Sequence, residues 1–308
     1  MEITNPHDSF FKEIFSKKEN ASDFINSILP DVLKKNLDLS TLELDNNSYV
    51  NEELQENFSD IVYNCVYKNK HKIKISLLFE HKSKVVKYPH LQLLKYMLRI
   101  WETNIKQKEG LIPVVSLIFY HGKNRWVLKD LSAYFKGIDE VLIRYIPGFN
   151  YLLTDLSNYS DEDLRERVFF NVSLRVAFLV MKNIYDERRL REHIEDFLQI
   201  GRMYYEEEKG LKFLEAVIRY IYNSTEIKPE EVLETVKKIS EKGGEITMTT
   251  AMRLRKEGLQ EGLQQGLQRL IEVAKSMYKK GFKLEMIAEI TGLSEEEIKK
   301  VVRLENER

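Results

Sequence analysis

Residues 58–101 constrain the fold more than any other stretch, because two strand patterns and a helix pattern follow one another there. From 60 to 67 the residues are mainly β-branched, aromatic and aliphatic, which favours a half-buried strand. After a polar turn, apolar and polar residues alternate from 73 to 80, and this period of two is typical of a second strand. We therefore expect an antiparallel β-hairpin followed by a helix, as part of an α/β fold.

The hairpin is expected to bring two carboxylates together. Asp60 begins the first strand and Glu80 ends the second, so antiparallel pairing places them side by side. Lys82 shares the face of Glu80, because strand side chains alternate. Two close acids repel one another unless a cation lies between them, and Mg²⁺ or Mn²⁺ prefers oxygen ligands. The spacing indicates a metal site in which Lys82 orients an attacking water.

Charge is concentrated in the same segment. Residues 60–99 hold nine lysines and arginines against two acids, an excess of seven positive charges, whereas the 308-residue chain has a net charge of −1. A basic segment in a neutral chain indicates a local contact with a polyanion and argues against a histone-like or wholly electrostatic binder. The residues alone leave one alternative open. In it, Asp60 only begins a strand and Glu80 pairs with a lysine on a solvated hairpin.

Pro89 fits the first turn of the helix that follows the hairpin. On this helix Gln92, Tyr96 and Arg99 recur at helical spacing and define one face. A second face carries the apolar residues Leu91, Leu94, Leu98 and Trp101. We expect the first face to approach the metal and backbone phosphates; an exposed polar stripe is the alternative.

Five blocks within residues 8–126 carry a resemblance to a known family: SFFKEIFS, SDIVY, LLFEHKS, HLQLLKYMLRIWE and IPVVSLIFYHGKNRW. They resemble the Rpn family of recombination-promoting nucleases, often labelled transposases, in the PD-(D/E)XK nuclease superfamily. The resemblance implies an α/β, restriction-endonuclease-like core that cleaves DNA with Mg²⁺, Mn²⁺ being possible. Ser59 replaces the proline of the PD pair, a position that varies widely.

The resemblance also assigns roles. Asp60 matches the motif aspartate, Glu80 and Lys82 match the (D/E)xK pair, and Gln92 matches the glutamine of the following helix. Asp60 and Glu80 would hold the metal. The candidate DNA contacts around this set are Lys84, Lys87, Tyr96 and Arg99.

The first helix offers a further acid. In the superfamily an acid on this helix often joins the metal shell, which nominates Asp8 or Glu13. The alternative is that neither acid binds metal. In it, Asp8 caps the helix and Glu13 lies on its solvated face.

The structure of the rest of the chain is predicted from the spacing of apolar residues and from the positions of turn-forming residues such as glycine and proline. An apolar run over 111–120 predicts a central buried strand, and 141–146 predicts another. His121, after the first of these, is expected to be a turn residue that donates to the backbone. Helical spacing continues from 161 to 242, and Lys242-Gly243-Gly244 predicts a linker. These patterns predict boundaries at 1–155, which the resemblance implies is a nuclease domain, at 156–242 for an α-helical region, and at 245–308 for a C-terminal part.

The C-terminal part contains two motifs. GLQEGLQQGLQR, from Gly258, repeats every four residues, and three tolerated glycines indicate a helix that approaches a partner helix, hence self-association. A frayed connecting helix is the alternative. The final KKGFKLEMIAEITGLSEEEIKKVV has helix-turn-helix spacing at Ala288, Gly292 and Ile298. Its second helix begins with Ser294 and three glutamates, so capping is expected more than direct contact with phosphates.

Composition limits the remaining classes. Cys65 is the single cysteine, which excludes an intrachain disulfide and a cysteine-based zinc site. The sequence has no long apolar run of the kind found in signal peptides and membrane spans, so a cytoplasmic location is expected. The sequence thus predicts a Mg²⁺-dependent endodeoxyribonuclease linked to recombination. The alternatives are a catalytically silent DNA-binding or interaction protein on the same fold, and a nuclease that cleaves RNA.

Overall fold

The computed structural model describes residues 5–45, 58–68, 70–80 and 87–306, without the side chains of 58–60, 77–80 and 303–306. Its centre is a sheet of five strands in the order β1 to β5. The strands are β1 Leu37–Leu44, β2 Phe58–Tyr67, β3 His71–Glu80, β4 Val114–Tyr120 and β5 Leu152–Asp155. The pairs β1–β2 and β2–β3 are antiparallel, whereas β3–β4 and β4–β5 are parallel. The predicted hairpin and α/β class are both present.

Helices make up most of the described chain after the sheet. Three precede or flank β1: α1 Pro6–Phe15, α2 Lys18–Ile28 and α3 Asp31–Lys34. The others are α4 Pro89–Lys106, α5 Glu140–Ile143, α6 Val172–Asn183, α7 Glu187–Gln199, α8 Glu208–Ser224, α9 Pro229–Ile239, α10 Glu241–Lys279, α11 Leu284–Thr291 and α12 Glu295–Asn306. Within the described ranges, no helix is long and apolar enough to cross a bilayer.

An aromatic core fixes the helices against one face of the sheet. Phe119 of β4 is fully buried, and its ring centroid lies 5.0 to 5.9 Å from those of Phe11, Phe15, Phe24 and Phe178. These rings come from α1, α2 and α6, so one core joins the sheet to the N-terminal helices and to the later helical segment. Residues 1–247 accordingly form one compact unit.

Helix α4 covers the opposite face. It packs Leu93, Tyr96 and Ile100 against Val62 and Ile118 of the sheet. Parallel strands need a crossover connection, and α4 supplies it between β3 and β4 by running antiparallel to both. The amino end of α4 therefore lies at the edge of the sheet where β3 and β4 end.

The strand predicted at 141–146 is wrong. Residues Glu140–Ile143 form the short helix α5, and the last strand is Leu152–Asp155 instead. The reason is local, since the Asp139 carboxylate accepts a hydrogen bond from the Val141 N–H at 2.8 Å and caps the helical turn. Strand-like composition was outweighed by this cap.

The linker predicted at Lys242-Gly243-Gly244 is also wrong, because these residues lie in the first turns of α10. A Cβ atom added to Gly243 would lie 2.9 Å from Cδ2 of Leu214. The glycine therefore permits close packing between helices, which the sequence pattern cannot distinguish from a flexible connection.

Residues 248–308 form a second compact unit that contains the predicted helix-turn-helix. Helices α11 and α12 meet at Gly292, whose φ of +71° suits glycine. The small core consists of Ala274, Ile287, Leu293, Ile298 and Val302. At the start of α12 the Ser294 N–H and hydroxyl donate to the Glu297 carboxylate, and the Glu297 N–H donates back to the Ser294 oxygen. The glutamate is thus committed to a capping box.

This capping box predicts a pH dependence. Hydrogen bonds from Ser294 lower the pKa of Glu297 below its ordinary value. A carboxyl with a lower pKa in the folded state stabilises above its unfolded pKa, about 4.3, and this contribution is lost as pH falls through the folded pKa. We expect Glu297→Ala to lower the melting temperature of the C-terminal unit at pH 7. The melting temperature of this variant should also fall less between pH 7 and pH 3 than that of the wild-type protein. Circular dichroism melts from pH 7 to 3 measure both effects. Equal behaviour of the control Glu296→Ala would contradict the prediction.

Candidate active site

One edge of the sheet collects the carboxyl ends of three parallel strands and the amino end of β2. The register aligns one residue from each strand in a row, namely Phe58, Glu80, Tyr120 and Asp155. Asp60 is paired with Leu78, two residues before Glu80. Register partners share a face, so the positions of Asp60 and Glu80 are diagonal neighbours on one face, about 7–8 Å apart. The hairpin thus brings two acidic positions within reach of a shared cation.

The backbones of Asp60 and Glu80 are described and their side chains are not, while Lys82 and Lys84 lie outside the described residues. The roles of these four residues stay predictions. What the structure adds is the surroundings of the two acidic positions.

Gln92 provides a polar atom at the same edge. It lies in the first turns of α4, whose amino end is beside the ends of β3 and β4. Its side chain is half-buried, and Oε1 is buried without a hydrogen-bond partner among the described residues. Burying an amide oxygen without a donor costs roughly 1–3 kcal/mol. An oxygen in this position suits a cation or a water bound to one.

Tyr96 is not available to DNA, which corrects its prediction as a contact. Its side chain is only 2% exposed and packs against Val62 and Ile118 under α4. The helix buries the face that carries Tyr96 and leaves Leu91 and Leu98 exposed. Periodicity correctly separated two faces of the helix. The face predicted to approach DNA is the one that packs on the sheet, and the apolar face is the one left exposed.

The other two described DNA-contact candidates differ in exposure. Lys87 is exposed, with its ammonium 5.0 Å from the centroid of the Tyr88 ring. Arg99 is half-buried on α4. Their contact with DNA stays a prediction.

The basic segment is not one continuous patch. Lys74 is buried and forms an ion pair with Asp45, which is buried as well. Lys70 and Lys72 are exposed at the hairpin turn, and β3 separates this turn from Glu80 by about 30 Å. The charge count therefore overstated the positive charge beside the candidate site. The sequence missed the buried pair because Asp45 belongs to no motif.

A histidine and tyrosine cluster marks where α1 meets this edge. His121 follows the last residue of β4, and its ring centroid is 5.1 Å from that of His7 on α1. Its Nδ1 donates to the Met181 carbonyl at 3.2 Å, and its ring stacks on Tyr185. The predicted role of His121 as a donor to the backbone is confirmed. His7 Nδ1 also lies 2.8 Å from the hydroxyl of Tyr220 on α8. The contact of His7 with His121 places the start of α1 at the edge where β4 ends.

The two acids of α1 differ in their surroundings. Glu13 forms an ion pair with Arg219 of α8. One oxygen of Asp8, Oδ2, lies 3.4 Å from the Lys12 ammonium, and the other, Oδ1, is buried with no hydrogen-bond partner within the described part of the chain. Glu13 is therefore held by an ion pair, whereas Asp8 has a buried oxygen without a described partner, and its place in a metal shell stays a prediction.

Asp155 is a buried acid that the sequence reasoning missed. It ends β5 in the same row as Glu80. Its Oδ2 accepts from the Trp126 N–H at 2.8 Å and its Oδ1 accepts from the Ser157 N–H at 2.9 Å. Both oxygens accept hydrogen bonds from backbone N–H groups. This carboxylate therefore stabilises the loop after β4 and is not oriented towards a ligand. A short strand ending in an acid gave too weak a signal to find it.

Comparison with known families and proteins bears on the whole chain. The family model “Putative transposase, YhgA-like” matches residues 5–212, and the model “Rpn/YhgA-like nuclease family, C-terminal HTH domain” matches residues 267–302. The second match coincides with the helix-turn-helix unit and suggests DNA binding.

Three proteins of Escherichia coli K12 are similar over nearly the full length. The recombination-promoting nuclease RpnA is 27% identical over 297 residues, 96% of each chain. The recombination-promoting nuclease RpnC is 26% identical over 303 residues, 98% of each chain. The third, the “inactive recombination-promoting nuclease-like protein RpnE”, is 27% identical over 313 residues, 96% of this chain and 97% of the relative. No solved structure matches.

Proposed function

The chain belongs to the family described as “Putative transposase, YhgA-like”, and on that premise we propose that it is a metal-dependent endonuclease that hydrolyses DNA. Its near full-length relatives RpnA and RpnC are named recombination-promoting nucleases, so the family is one of nucleases and recombination. The observation that carries the proposal is the diagonal placement of Asp60 and Glu80 on one face, at the edge where Gln92 buries an amide oxygen.

We assign the sheet to the PD-(D/E)XK class. The support is the order of parts: an acid near the start of β2, an acid at the end of β3, a lysine two residues later, and a crossover helix that carries Gln92. Parallel pairing of β3 with β4 returns this helix over the face shared by Asp60 and Glu80.

The residues of the edge fit Mg²⁺ or Mn²⁺, since they offer two carboxylates and one amide oxygen and hard divalent cations prefer oxygen ligands. Asp60 and Glu80 would hold the ion, with Gln92 Oε1 supporting them. A bound divalent cation supplies Lewis acidity and lowers the pKa of coordinated water. Lys82 would orient the attacking water and neutralise negative charge that develops on the phosphate.

The proposed partner is DNA, contacted by Lys84, Lys87 and Arg99 near the site. In the second unit, α12 is the second helix of the helix-turn-helix and the candidate helix for contact with DNA. The Glu297 carboxylate at its start is hydrogen-bonded to Ser294. Self-association through α10 is also proposed, because its apolar stripe Leu259, Leu263 and Leu267 is exposed and a Cβ added to Gly258, Gly262 or Gly266 would meet no described atom within 4 Å. A cytoplasmic location remains part of the proposal.

The second candidate is a catalytically silent DNA-binding or interaction protein on the same fold. The observation that favours it is the printed name of RpnE, an inactive relative similar over 97% of its length. Against it stands the presence of Asp60, Glu80 and Lys82 together in this sequence. A silent protein has no need for two acidic positions close together on a basic hairpin, because two close acids repel one another.

Substitution of the three proposed catalytic residues separates these candidates. We expect Asp60→Asn, Glu80→Gln and Lys82→Ala each to slow nicking of supercoiled plasmid by at least about 100-fold, the scale expected when a charge-stabilising group is lost. Binding to a labelled duplex should persist, because phosphate contacts lie elsewhere. The wild-type protein should cut with Mg²⁺ or Mn²⁺ and not with EDTA. The matched control is Asp31→Asn, an exposed acid on α3.

Two results would overturn the proposal. If the three variants cut as fast as the wild-type protein, the chemistry lies at another site. If the wild-type protein binds DNA without cutting under any metal condition, the silent protein is the better account. Parallel assays on RNA and on single-stranded DNA decide the substrate.

The two acids of α1 give a second test. Because Asp8 keeps a buried oxygen at the edge of the site, we expect Asp8→Asn to raise the Mg²⁺ concentration for half-maximal cleavage by roughly tenfold or more, equivalent to about 1.4 kcal/mol of lost metal affinity. Glu13→Gln should leave that concentration unchanged and lower thermal stability slightly, since Arg219 loses its ion pair with Glu13 and keeps the longer contact with Glu215, at 3.9 Å. Magnesium titrations of cleavage, beside melting curves, measure both. Equal shifts for the two variants would refute the distinction between them.

A further inference from the structure

Helix α4 has two apolar faces, and only one of them is buried. The buried face packs on the sheet through Leu93, Tyr96 and Ile100, and Met97 is buried as well. The other face, which we call the α4 stripe, consists of Leu91, Leu94, Leu98, Trp101 and Ile105. Leu91, Leu98 and Ile105 remain 51%, 47% and 58% exposed, and the other two are half-buried.

The spacing of the α4 stripe is that of a helix–helix seam. Its members follow one another at intervals of three, four, three and four residues, the a and d positions of a heptad repeat. The stripe runs for about 21 Å along the helix. Single exposed leucines are ordinary on a protein surface, but a continuous stripe of this kind marks an interaction site.

We propose that the α4 stripe binds the α4 stripe of a second copy of this chain, in an antiparallel pair. A two-fold axis between residues 99 and 100 would place Leu98 beside Trp101 of the second copy. The same axis would place Leu94 beside Ile105 of the second copy. Leu98 then faces the larger Trp101, Leu94 faces an aliphatic residue of its own size, and the contact is self-complementary as two-fold symmetry requires.

Charges beside the stripe select the same arrangement. Lys95 and Glu102 occupy the e positions of the heptad, and both are exposed. In an antiparallel pair the e positions of the two helices lie on one side of the seam. With the axis given above, Lys95 lies within about 3 Å of axial rise of Glu102 of the second copy, and symmetry repeats the pair. A parallel pair would set e against g, where Met97 and Asn104 offer no charge.

The apolar surface extends beyond the amino end of the stripe. Tyr134 contacts Tyr88 and His90 there, with ring centroids 5.3 and 5.8 Å apart. Phe135, the next residue, is 48% exposed. Two short helices alone would bury less than the roughly 800 Å² per partner of a standard interface. We therefore expect a dimer that forms in a concentration-dependent way and uses this extension.

The arrangement has a consequence for cleavage, which rests on the proposed function while the dimer itself does not. Gln92 lies near the amino end of α4, so the antiparallel pair sets two candidate sites about 22 Å apart along the helix axis.

Sedimentation velocity of the full chain, over a range of concentrations, tests the proposal. The wild-type protein should form a dimer as its concentration rises. Leu98→Glu should raise the dissociation constant of this dimer at least tenfold, because a carboxylate would be buried in the seam. The matched control is Phe170→Glu, which changes an 85% exposed ring away from α4 and should leave the dimer unchanged. Circular dichroism verifies that each variant is folded.

Charge exchange provides a result that misfolding cannot imitate. Lys95→Glu and Glu102→Lys should each weaken the dimer, and the double variant should restore it. A wild-type protein that stays monomeric, or a dimer unaffected by Leu98→Glu, would overturn the proposal. So would loss of the dimer in Leu263→Glu with none in Leu98→Glu, since that pattern assigns self-association to α10 alone.

Discussion

The register that β3 keeps with both of its neighbours governs the rest of the molecule. It is antiparallel with β2 and parallel with β4, and it aligns Glu80 with the last residue of β4. Side chains alternate along a strand, so a shift of one residue would turn Asp60 or Glu80 towards the core face that holds Ile75 and Phe119. Burial of the aromatic cluster on that face therefore fixes which residues face α4.

Parallel pairing of β3 and β4 also determines how the site is covered. It requires a crossover helix, and α4 lies with its amino end beside the two acidic positions. Leu93 and Tyr96 anchor this helix in the core, which holds the Gln92 amide at the edge. Apolar packing on both faces of one sheet thus leaves polar groups where the strands end, and the proposed metal site consists of these groups.

Local patterns were sufficient for some elements and insufficient for others. Strand alternation predicts the β2–β3 hairpin, and Gly292 predicts the turn between α11 and α12, because neighbouring residues decide both. Which apolar face of α4 is buried depends on the sheet, so the environment of Tyr96 could not be read from spacing. The Lys74–Asp45 pair and the distinction between Asp8 and Glu13 depend on contacts remote in sequence. The family resemblance identified candidate residues, and packing then separated those at the edge from those in the core.

The central claim is that Asp60, Glu80 and Gln92 converge on one divalent cation. Anomalous diffraction from crystals of the protein grown with Mn²⁺ tests it most directly, because manganese can be located without reference to activity. The account predicts a single strong peak within about 2.5 Å of carboxylate oxygens of both Asp60 and Glu80, with Gln92 Oε1 bound to the ion or to one of its waters. A peak at other residues, or none at this edge at a saturating Mn²⁺ concentration, would contradict it.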